Sequence, residues 1–200
     1  MVAMLMSGFS AIDTWTFHLI NRSFQNPLFD LLMPILSTKR YFILPAAVLI
    51  LMLAVWGGRR MWVVLAVAVV AVALSDLGTN LIKVTLQRMR PCHVIPDVHL
   101  LVGCTRSFSL PSNHASNMFA LATVGWLGFR RWRWVLLLLA AGVAYSRVYL
   151  GVHYPADVLA GAVWGGAVGW GCSVLATRLW PGCFEKRTRP PRKVPADCTP

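Results

Sequence analysis

Acidic residues, and charged residues in general, are scarce in this chain of 200 residues. Only 7 residues are Asp or Glu, against 19 that are Lys or Arg, and all charged residues together make up 13% of the sequence. About a quarter of the residues of an ordinary soluble domain are charged. Because the chain has about half that fraction and is 57% hydrophobic, its composition argues against a water-soluble globular protein.

Sequence motifs for nucleotides are lacking too. The chain has neither a Gly-rich phosphate loop nor a dinucleotide fingerprint, so no bound ATP is predicted. The net charge of +12 is typical of nucleic-acid binders, but such proteins cluster their basic residues on one polar face. Here the basic residues form short groups between long apolar runs. We therefore predict that they mark membrane topology and that nucleic acid is not a partner.

Long apolar runs are what the sequence has instead. Five stretches with few charges can cross a bilayer, whose hydrocarbon core takes about 20 apolar residues of helix. We predict spanning helices at 44–57, 61–84, 114–129, 133–150 and 155–178. The predicted fold class is therefore all-α, a polytopic membrane helix bundle with five spanning helices and no internal repeat.

The basic residues also predict the orientation of these helices. Eleven of the 19 Lys and Arg lie between the first and second predicted helices, between the third and fourth, and after the fifth. Cytoplasmic loops retain Lys and Arg close to the membrane, so this side is predicted to be cytoplasmic. The loop at 85–113 and the turn at 150–154 then face outward.

The two ends of the chain differ from the membrane domain predicted at 41–180. Pro27 and Pro34 interrupt residues 1–40, which we predict to form one or two amphipathic helices at the outer interface. A sixth spanning helix in this segment is the alternative, and no small-residue cleavage pattern marks a secretory signal. Residues 181–200, with several Pro and alternating charge, are predicted to be a basic disordered cytoplasmic tail.

Three basic residues lie at the outer ends of predicted helices, where positive charge is normally sparse, namely Lys83, Arg90 and Arg147. Charged groups at membrane depth commonly serve a function. The alternative is that their side chains snorkel to lipid headgroups. Lys83 and Arg90 are seven residues apart, about 10 Å of helical rise, so both side chains can project to one face and bind a single anion.

Histidines and a carboxylate lie at the same outer helix ends. Ser112 is a favourable N-cap for the helix that includes His114, and helix N-termini attract anions. His153 and Asp157 are four residues apart, so the carboxylate can reach the imidazole. With the cations, these residues predict a phosphate site with a histidine nucleophile beside it. A metal bound by His114, His153 and Asp157 is the alternative, but three nearby cations repel a divalent ion.

Three short motifs carry a family resemblance. The segments Lys83-x6-Arg90-Pro91, Pro111-Ser112-x-His114 and Ser146-Arg147-x5-His153-x3-Asp157 together resemble the signature motifs of the type 2 phosphatidic acid phosphatase superfamily, in order and spacing. The resemblance covers about residues 41–178. Asn113 stands where the second motif commonly has Gly, and we expect it to alter the fit of the phosphate or headgroup without removing a catalytic group.

The resemblance implies a role for each matching residue. His153 is the nucleophile that forms a phosphohistidine, Asp157 orients it, and His114 is the general acid and later the base for water. The phosphoryl oxygens are held by Lys83, Arg90, Ser112, the backbone N–H of Asn113, and Arg147. The family works without a metal or another cofactor.

The resemblance also implies a lipid phosphate substrate reached from the outer interface. The short chain and its N-terminal segment resemble bacterial undecaprenyl-pyrophosphate phosphatases, which serve cell-wall biogenesis in the cytoplasmic membrane. Undecaprenyl pyrophosphate therefore ranks first as substrate. Phosphatidylglycerol phosphate, phosphatidic acid and lipid A phosphates are rivals, and a lipid phosphotransferase shares the same intermediate. A lipid-binding or flipping protein without catalysis is the non-enzyme alternative, although a binder has no need of His153 paired with Asp157.

The remaining expectations concern cysteines, glycines and other polar residues. Cys92 and Cys104 bracket the outer loop, where a disulfide between them is allowed in an oxidising compartment; two free thiols are the alternative. Asp76 is expected to balance the cation of Lys83, and Arg106 to assist with a second phosphate. Further expectations are close helix packing at Gly161, Gly165, Gly166 and Gly169, a core position for Cys172, reduced Cys183 and Cys198, and surface or headgroup contact rather than catalysis for His93 and His99.

Overall fold

The computed structural model describes residues 2–129 and 131–181, and every regular element among them is a helix. The elements are α1 (Val2–His18), which continues into a π-helical turn (Leu19–Ser23), α2 (Pro27–Ser37), α3 (Lys39–Trp56), α4 (Gly58–Leu86), α5 (Pro91–Val94), α6 (Asn113–Gly128), α7 (Arg133–Tyr149) and α8 (Pro155–Leu179). The prediction of an all-α fold is confirmed. The predicted tail lies almost wholly outside the described residues, and so do Cys183 and Cys198.

Two stretches of the described chain have the length and composition to cross a membrane. They are Gly58–Val94, which contains α4, and Pro155–Leu179, which is α8. Helices α3, α6 and α7 begin and end within about five residues of the spans predicted at 44–57, 114–129 and 133–150. The positions of all five helices therefore agree with the sequence pattern, while the count of five spanning helices stays a prediction.

Helix α6 lies at the centre of the bundle and packs against α4, α7 and α8. Its contact with α8 is made by backbone, because glycines recur every fourth residue on the facing side of α8. A Cβ atom at Gly161 would lie 2.6 Å from the carbonyl oxygen of Ser112, and one at Gly165 would overlap the carbonyl group of Ser116. Gly169 repeats this close approach one turn further along. Small residues at such spacing let two helices approach closely.

Gly166 was expected to belong to this contact and does not. A Cβ atom there would meet only the Thr123 hydroxyl, at 3.8 Å, which is an ordinary van der Waals distance. The helical register explains the difference, because Gly166 is one residue, or about 100°, away from the row that faces α6.

We expect Gly165→Ala to destabilise the protein and Gly166→Ala to leave it unchanged or slightly more stable. The first substitution forces α8 away from α6, and overpacking of this kind costs about 1–3 kcal/mol. The second adds no clash, and Ala favours a helix over Gly by about 0.5–1 kcal/mol. Thermal unfolding of both variants in detergent, followed by circular dichroism, measures the difference. Equal midpoints would mean that the close approach of α6 and α8 does not limit stability.

The N-terminal segment packs onto one end of the bundle, which goes beyond the interfacial placement that its sequence suggested. Phe17 of α1 is fully buried against the ends of α7 and α8, and Met33 of α2 packs on Tyr149. Pro27 begins α2, where the Asn26 side chain accepts a hydrogen bond from the Phe29 N–H at 2.9 Å. Pro34 lies inside α2 and does not end it.

A buried asparagine joins this segment to the loop that precedes α6. The Asn21 amide donates to the carbonyl oxygens of His99 at 3.0 Å and Tyr149 at 2.7 Å, and its oxygen accepts from the His99 N–H at 3.0 Å. The same loop contains a disulfide between Cys92 and Cys104, whose Cα atoms are 6.4 Å apart. The loop is therefore held both within itself and against the bundle.

We expect the double variant Cys92→Ala/Cys104→Ala to unfold at a lower temperature than the wild type. A cross-link over a segment of this length constrains the unfolded chain by on the order of 3 kcal/mol. The measurement compares melting with and without reductant, which should lower the midpoint of the wild type but not that of the variant. Cys172→Ala is the matched control, because Cys172 is a free, half-buried thiol of α8. A reductant effect of equal size in wild type and double variant would contradict the prediction.

Candidate active site

His153 lies in the tight turn that joins α7 to α8. Gly151 opens this turn with a φ of +75°, a conformation that favours glycine, and a Cβ atom there would overlap the side chain of Val98. The backbone N–H groups of Val152 and His153 both donate to the carbonyl oxygen of Arg147, at 3.2 Å. The turn thus fixes the backbone of His153 next to the C-terminal end of α7, where Arg147 lies. The imidazole of His153 is buried.

Asp157 lies in the first turn of α8 and faces the imidazole. Its Oδ2 is 3.5 Å from His153 Nδ1 and accepts from the Tyr154 N–H at 2.8 Å, which also caps the helix. The Ser109 hydroxyl donates to the same oxygen and lies 3.4 Å from His153 Nδ1. The pairing expected from the spacing of His153 and Asp157 is therefore present in the structure.

The other ring nitrogen of His153 faces a guanidinium. Arg90 Nη1 is 3.2 Å from His153 Nε2 and donates to the Val152 carbonyl oxygen at 3.1 Å. Arg90 is held from the other side by Ser107, whose carbonyl oxygen accepts from Nε at 2.7 Å and whose hydroxyl lies 2.9 Å from Nη2. With Nδ1–H directed at the carboxylate, Nε2 carries the lone pair of the imidazole and points toward the cation.

Burial keeps this imidazole neutral. Burial lowers the pKa of His153 to about 3; Asp157 opposes the change, and the charges of Arg90 and Arg147 reinforce it. Burial also lowers the pKa of Arg90, with Asp157 acting in the opposite direction. A neutral imidazole whose Nε2 lone pair faces a fixed cation has the properties of a nucleophile toward an anionic group.

Lys83 and Arg147 are buried near the same turn. Lys83 Nζ donates to the carbonyl oxygen of Phe108 at 2.6 Å and lies 3.4 Å from that of Ser109. Arg147 Nη1 donates to the hydroxyl of Ser37 in α2, and its Nε has no hydrogen-bond partner among the described residues. Because the charged ends of these buried side chains donate to neutral oxygens and not to a carboxylate, this end of the bundle attracts an anion.

The second motif meets the third through its backbone. The Ser112 N–H donates to the carbonyl oxygen of Asp157 at 2.9 Å. Ser112 precedes α6 as predicted, but its hydroxyl makes no cap hydrogen bond; this buried oxygen has no partner in the part of the chain that the structure describes. The hydroxyl is thus available to a ligand. His114 lies half-buried in the first turn of α6, two residues further on.

Asn113, which departs from the usual motif, directs its side chain toward α4. Its amide donates to Asp76 Oδ1 at 2.9 Å and to Asn80 Oδ1 at 3.0 Å, both on α4. Asn117 donates to Asp76 as well, at 3.1 Å. Asp76 thus accepts hydrogen bonds from side-chain amides, and its charge also acts favourably on Lys83, as expected, although the Lys83 ammonium donates to a backbone carbonyl. The Asn113 side chain ties α6 to α4 and leaves the backbone of the motif in place.

Sequence reasoning overlooked Arg88. Its Nη1 donates to Asp157 Oδ1 at 2.7 Å, its Nη2 donates to Asp13 Oδ2 at 2.5 Å, and its guanidinium lies 4.1 Å from the centre of the Tyr154 ring. The sequence did contain one signal: Arg88 lies in the predicted outer loop, whereas Lys and Arg are normally concentrated in cytoplasmic loops. Ser37 and Ser109 were overlooked too, and no pattern in the sequence marks them.

A separate group of metal-ligating side chains lies in the outer loop. Ligand atoms of Cys92, His93 and Cys104 all fall within 4.8 Å of one another. The two cysteines form the disulfide, so their sulfur atoms are not thiolate ligands in this structure. His93 instead lies 3.1 Å from the carbonyl oxygen of Thr105 through its Nε2.

Fold and site together define an all-helical protein with a histidine–carboxylate pair and buried cations at one end of its bundle. The chain belongs to the PAP2 superfamily, whose sequence profile matches residues 64–181. That match confirms the family to which the three motifs pointed.

Relatives and solved structures agree with this assignment. The chain is 36% identical over 131 residues to a lipid A 4'-phosphatase of Bacteroides thetaiotaomicron, covering 59% of this chain and 58% of that protein. It is 31% identical over 125 residues to an undecaprenyl-diphosphatase of Sulfolobus acidocaldarius, covering 62% and 58%. The chain thus spans little more than half the length of these curated relatives.

Two crystal structures share the fold. LpxE of Aquifex aeolicus aligns with a TM-score of 0.64 and 25% identity over 82% of this chain and 94% of that chain. A PAP2 type phosphatidylglycerolphosphate phosphatase of Bacillus subtilis aligns with a TM-score of 0.68 and 22% identity, over 91% and 90%.

Proposed function

We propose that this protein is a membrane lipid phosphatase that works through a phosphohistidine on His153. The observation that carries the proposal is the setting of that imidazole, which is buried with Nδ1 against Asp157 and Nε2 against Arg90. A protein that only binds an anion needs the cations but gains nothing from a carboxylate behind a buried imidazole.

The reaction balances in two steps. The Nε2 lone pair of His153 attacks phosphorus and forms a P–N bond, while the P–O bond to the lipid breaks and His114 gives its proton to the leaving oxygen. Water then attacks phosphorus, His114 takes one proton from it, and the P–N bond breaks to release inorganic phosphate. Asp157 keeps the proton on Nδ1 and offsets the positive charge of the phosphorylated ring.

The phosphoryl oxygens are assigned to the buried cations and to the second motif. Lys83, Arg90 and Arg147 supply the charge, and the Ser112 hydroxyl and Asn113 backbone N–H supply hydrogen bonds. Arg guanidinium groups match phosphate oxygens in geometry, and Lys adds a point charge. Hydrogen bonds to protein oxygens already hold the charged ends of these side chains at this end of the bundle.

Undecaprenyl pyrophosphate is our first choice of substrate, and undecaprenyl phosphate the product. Support comes from the undecaprenyl-diphosphatase among the relatives and from a bacitracin transport permease BcrC of Bacillus licheniformis, 32% identical over 98 residues. Relatives named lipid A 4'-phosphatase and decaprenylphosphoryl-5-phosphoribose phosphatase keep other lipid phosphates as rivals. We assign the second phosphate of this substrate to Arg106, which lines a cavity of about 280 Å³ together with Arg90.

The proposed location is the cytoplasmic membrane of a bacterium, with the site facing outward and the C-terminal tail in the cytoplasm. The positive-inside pattern of the basic residues supports this orientation. A labelling experiment on single-cysteine variants in intact cells tests it, because a cysteine near the site should react with an impermeant reagent.

A panel of lipid phosphates tests the substrate. The purified protein in detergent is offered undecaprenyl pyrophosphate, phosphatidylglycerol phosphate, phosphatidic acid and lipid A, and released phosphate is measured. Faster release from another lipid than from the polyprenyl pyrophosphate overturns the ranking. Each reaction is repeated with an acceptor lipid, since transfer of labelled phosphate to that acceptor identifies a phosphotransferase.

A further inference from the structure

Two buried carboxylates from distant parts of the chain share one guanidinium beside the proposed nucleophile. Arg88 joins Asp157 of α8 at 2.7 Å to Asp13 of α1 at 2.5 Å. Both carboxylates are almost fully buried, and the Arg88 side chain keeps 23% of its exposure. A guanidinium offers several donors in a fixed fork, so it can hold two carboxylates at once, which an ammonium group does less well.

The hydrogen bonds of Asp157 divide between its two oxygens. Oδ2 faces the His153 imidazole and accepts hydrogen bonds from the Ser109 hydroxyl and the Tyr154 N–H. Oδ1 accepts a hydrogen bond from Arg88. Fixing both oxygens fixes the plane of the carboxylate, and hence the direction in which it meets His153 Nδ1. Arg88 therefore controls the orientation of the group that orients the nucleophile.

Asp13 holds the other side of this arrangement. Its Oδ2 accepts from Arg88, and its Oδ1 accepts from the Ala156 N–H at 2.8 Å, in the first turn of α8. Helix α1 is thus tied to the start of α8 directly and through Arg88. Asp13 lies outside residues 64–181, which match the family profile, so this connection comes from a part of the chain that the profile does not contain.

Arg88 differs from the other buried cations in the groups to which it donates. Lys83, Arg90 and Arg147 donate to neutral oxygens, while Arg88 donates to two carboxylates. Burial by itself lowers the pKa of Arg88, but the charges of Asp157 and Asp13 outweigh it and raise the pKa above its ordinary value. The charge of Arg88 is therefore balanced by carboxylates within the protein, whereas the charges of Lys83, Arg90 and Arg147 are available to a phosphate.

We propose that Arg88 and Asp13 are positioning residues of this active site: Arg88 aligns Asp157 with His153, and Asp13 anchors Arg88 and the first turn of α8. The N-terminal helix α1 is then part of the catalytic machinery. This inference rests on the proposed phosphatase function, which it deepens by extending the site beyond the family motifs.

The main test is Arg88→Gln, assayed for phosphate release against the lipid that the panel selects. Because Arg88 binds two carboxylates and is not assigned to the phosphate, we expect kcat to fall about 100-fold while KM changes less than about threefold. Arg88→Lys should recover about tenfold of this loss, since it restores the charge. Arg178→Gln, which removes one exposed cation from the far end of α8, is the control and should match the wild type.

The pH profile distinguishes positioning from a general loss of structure. His153 is faced by Arg90 and Ser109 of the outer loop, Arg147 of α7 and Asp157 of α8, and Asp157 is faced in addition by Arg88, Lys83 and Tyr154. Without Arg88, the Asp157 charge acts more strongly on the imidazole and raises its pKa. The acid limb of kcat should therefore move to higher pH in Arg88→Gln, whereas a merely unfolded fraction lowers kcat at every pH alike.

A double-mutant cycle tests the link to α1. Asp13→Asn keeps the acceptor for the Ala156 N–H and removes the charge, so we expect a loss of about fivefold, with Asp97→Asn in the exposed loop as control. Combining Asp13→Asn with Arg88→Gln should cost less than the product of the single effects, because Arg88→Gln alone leaves Asp13 buried without a counter-charge. Additive effects overturn the link.

Orthovanadate provides a measurement that does not require turnover. Vanadate takes five-coordinate geometry on a nucleophile, so it needs His153 correctly oriented. We expect it to raise the melting temperature of the wild type and to bind Arg88→Gln at least tenfold more weakly.

The outcomes separate the two proposals. Wild-type protein that binds vanadate but releases no phosphate from any lipid contradicts the phosphatase function. The role of Arg88 is then still tested by comparing the vanadate affinities of the wild type and Arg88→Gln. Equal vanadate affinity, turnover within twofold of wild type, or a rise in KM with unchanged kcat overturns the role of Arg88. If the wild type neither binds vanadate nor releases phosphate, both proposals are wrong.

Discussion

His153→Ala abolishes phosphate release, with an expected fall in kcat of at least about 10⁴-fold. The substitution removes the atom that forms the P–N bond, and no other described side chain takes its place between Asp157 and Arg90. The cations remain, so lipid binding should change by less than about tenfold. Phosphate release and equilibrium binding of the same lipid are measured on detergent-purified protein, with circular dichroism to verify the fold.

The control for this variant is His18→Gln, which removes an imidazole at the end of α1 that has no assigned role in the reaction. It should retain wild-type turnover. Wild-type protein incubated briefly with labelled lipid phosphate and quenched in alkali should carry label that is stable to base and labile to acid, and His153→Ala should carry none. Normal turnover in His153→Ala would show that the nucleophile is assigned to the wrong residue. Binding without turnover in the wild type itself would favour the lipid-binding or flipping protein.

Much of the site could be predicted because its residues lie at helix ends, where local spacing determines geometry. His153 and Asp157 are one helical turn apart, and the structure places the carboxylate beside Nδ1. The outer cations stood out because positive charge is unusual there. These features depend on periodicity and topology, and a single sequence contains both.

The residues that sequence reasoning missed are joined over long separations. Arg88 and Asp13 are 75 positions apart, Arg147 and Ser37 are 110 apart, and Ser109 and Asp157 are 48 apart. No periodic pattern connects such pairs, since the packing of α1, α2 and the outer loop on the bundle brings them together. The N-terminal segment could be predicted as helical, but its buried Asp13 could not be distinguished from an interfacial acid.

Asn113 shows how a departure from a motif can be explained only in three dimensions. By sequence it replaces a Gly beside the phosphate, and an effect on substrate fit was the natural expectation. In the structure its amide is occupied by Asp76 and Asn80 of α4. The missing Gly is thus compensated by a contact between helices, which a side chain at this position makes possible.

The second large effect is expected for His114→Ala and depends on the leaving group. With a lipid phosphomonoester such as phosphatidic acid, whose alkoxide must be protonated as it departs, we expect kcat to fall about 10²- to 10⁴-fold. With p-nitrophenyl phosphate the leaving group is stable without a proton, so the first step stays fast. Attack by water still lacks its base, and the phosphohistidine should accumulate.

Rapid-mixing kinetics measure the two steps separately. In His114→Ala, p-nitrophenyl phosphate should give a burst of nitrophenolate that approaches one equivalent per protein, followed by a slow steady state, while the wild type shows a faster steady state and a smaller burst. The double variant His114→Ala/His153→Ala is the matched control and should give no burst, because the acceptor of the phosphoryl group is gone. An equal fall for both substrates without a burst would contradict the role of His114 as acid and base. A burst that survives in the double variant would place the phosphoryl group on another residue. The leaving-group dependence thus tests the division of labour between the two histidines, which the positions of the residues alone do not determine.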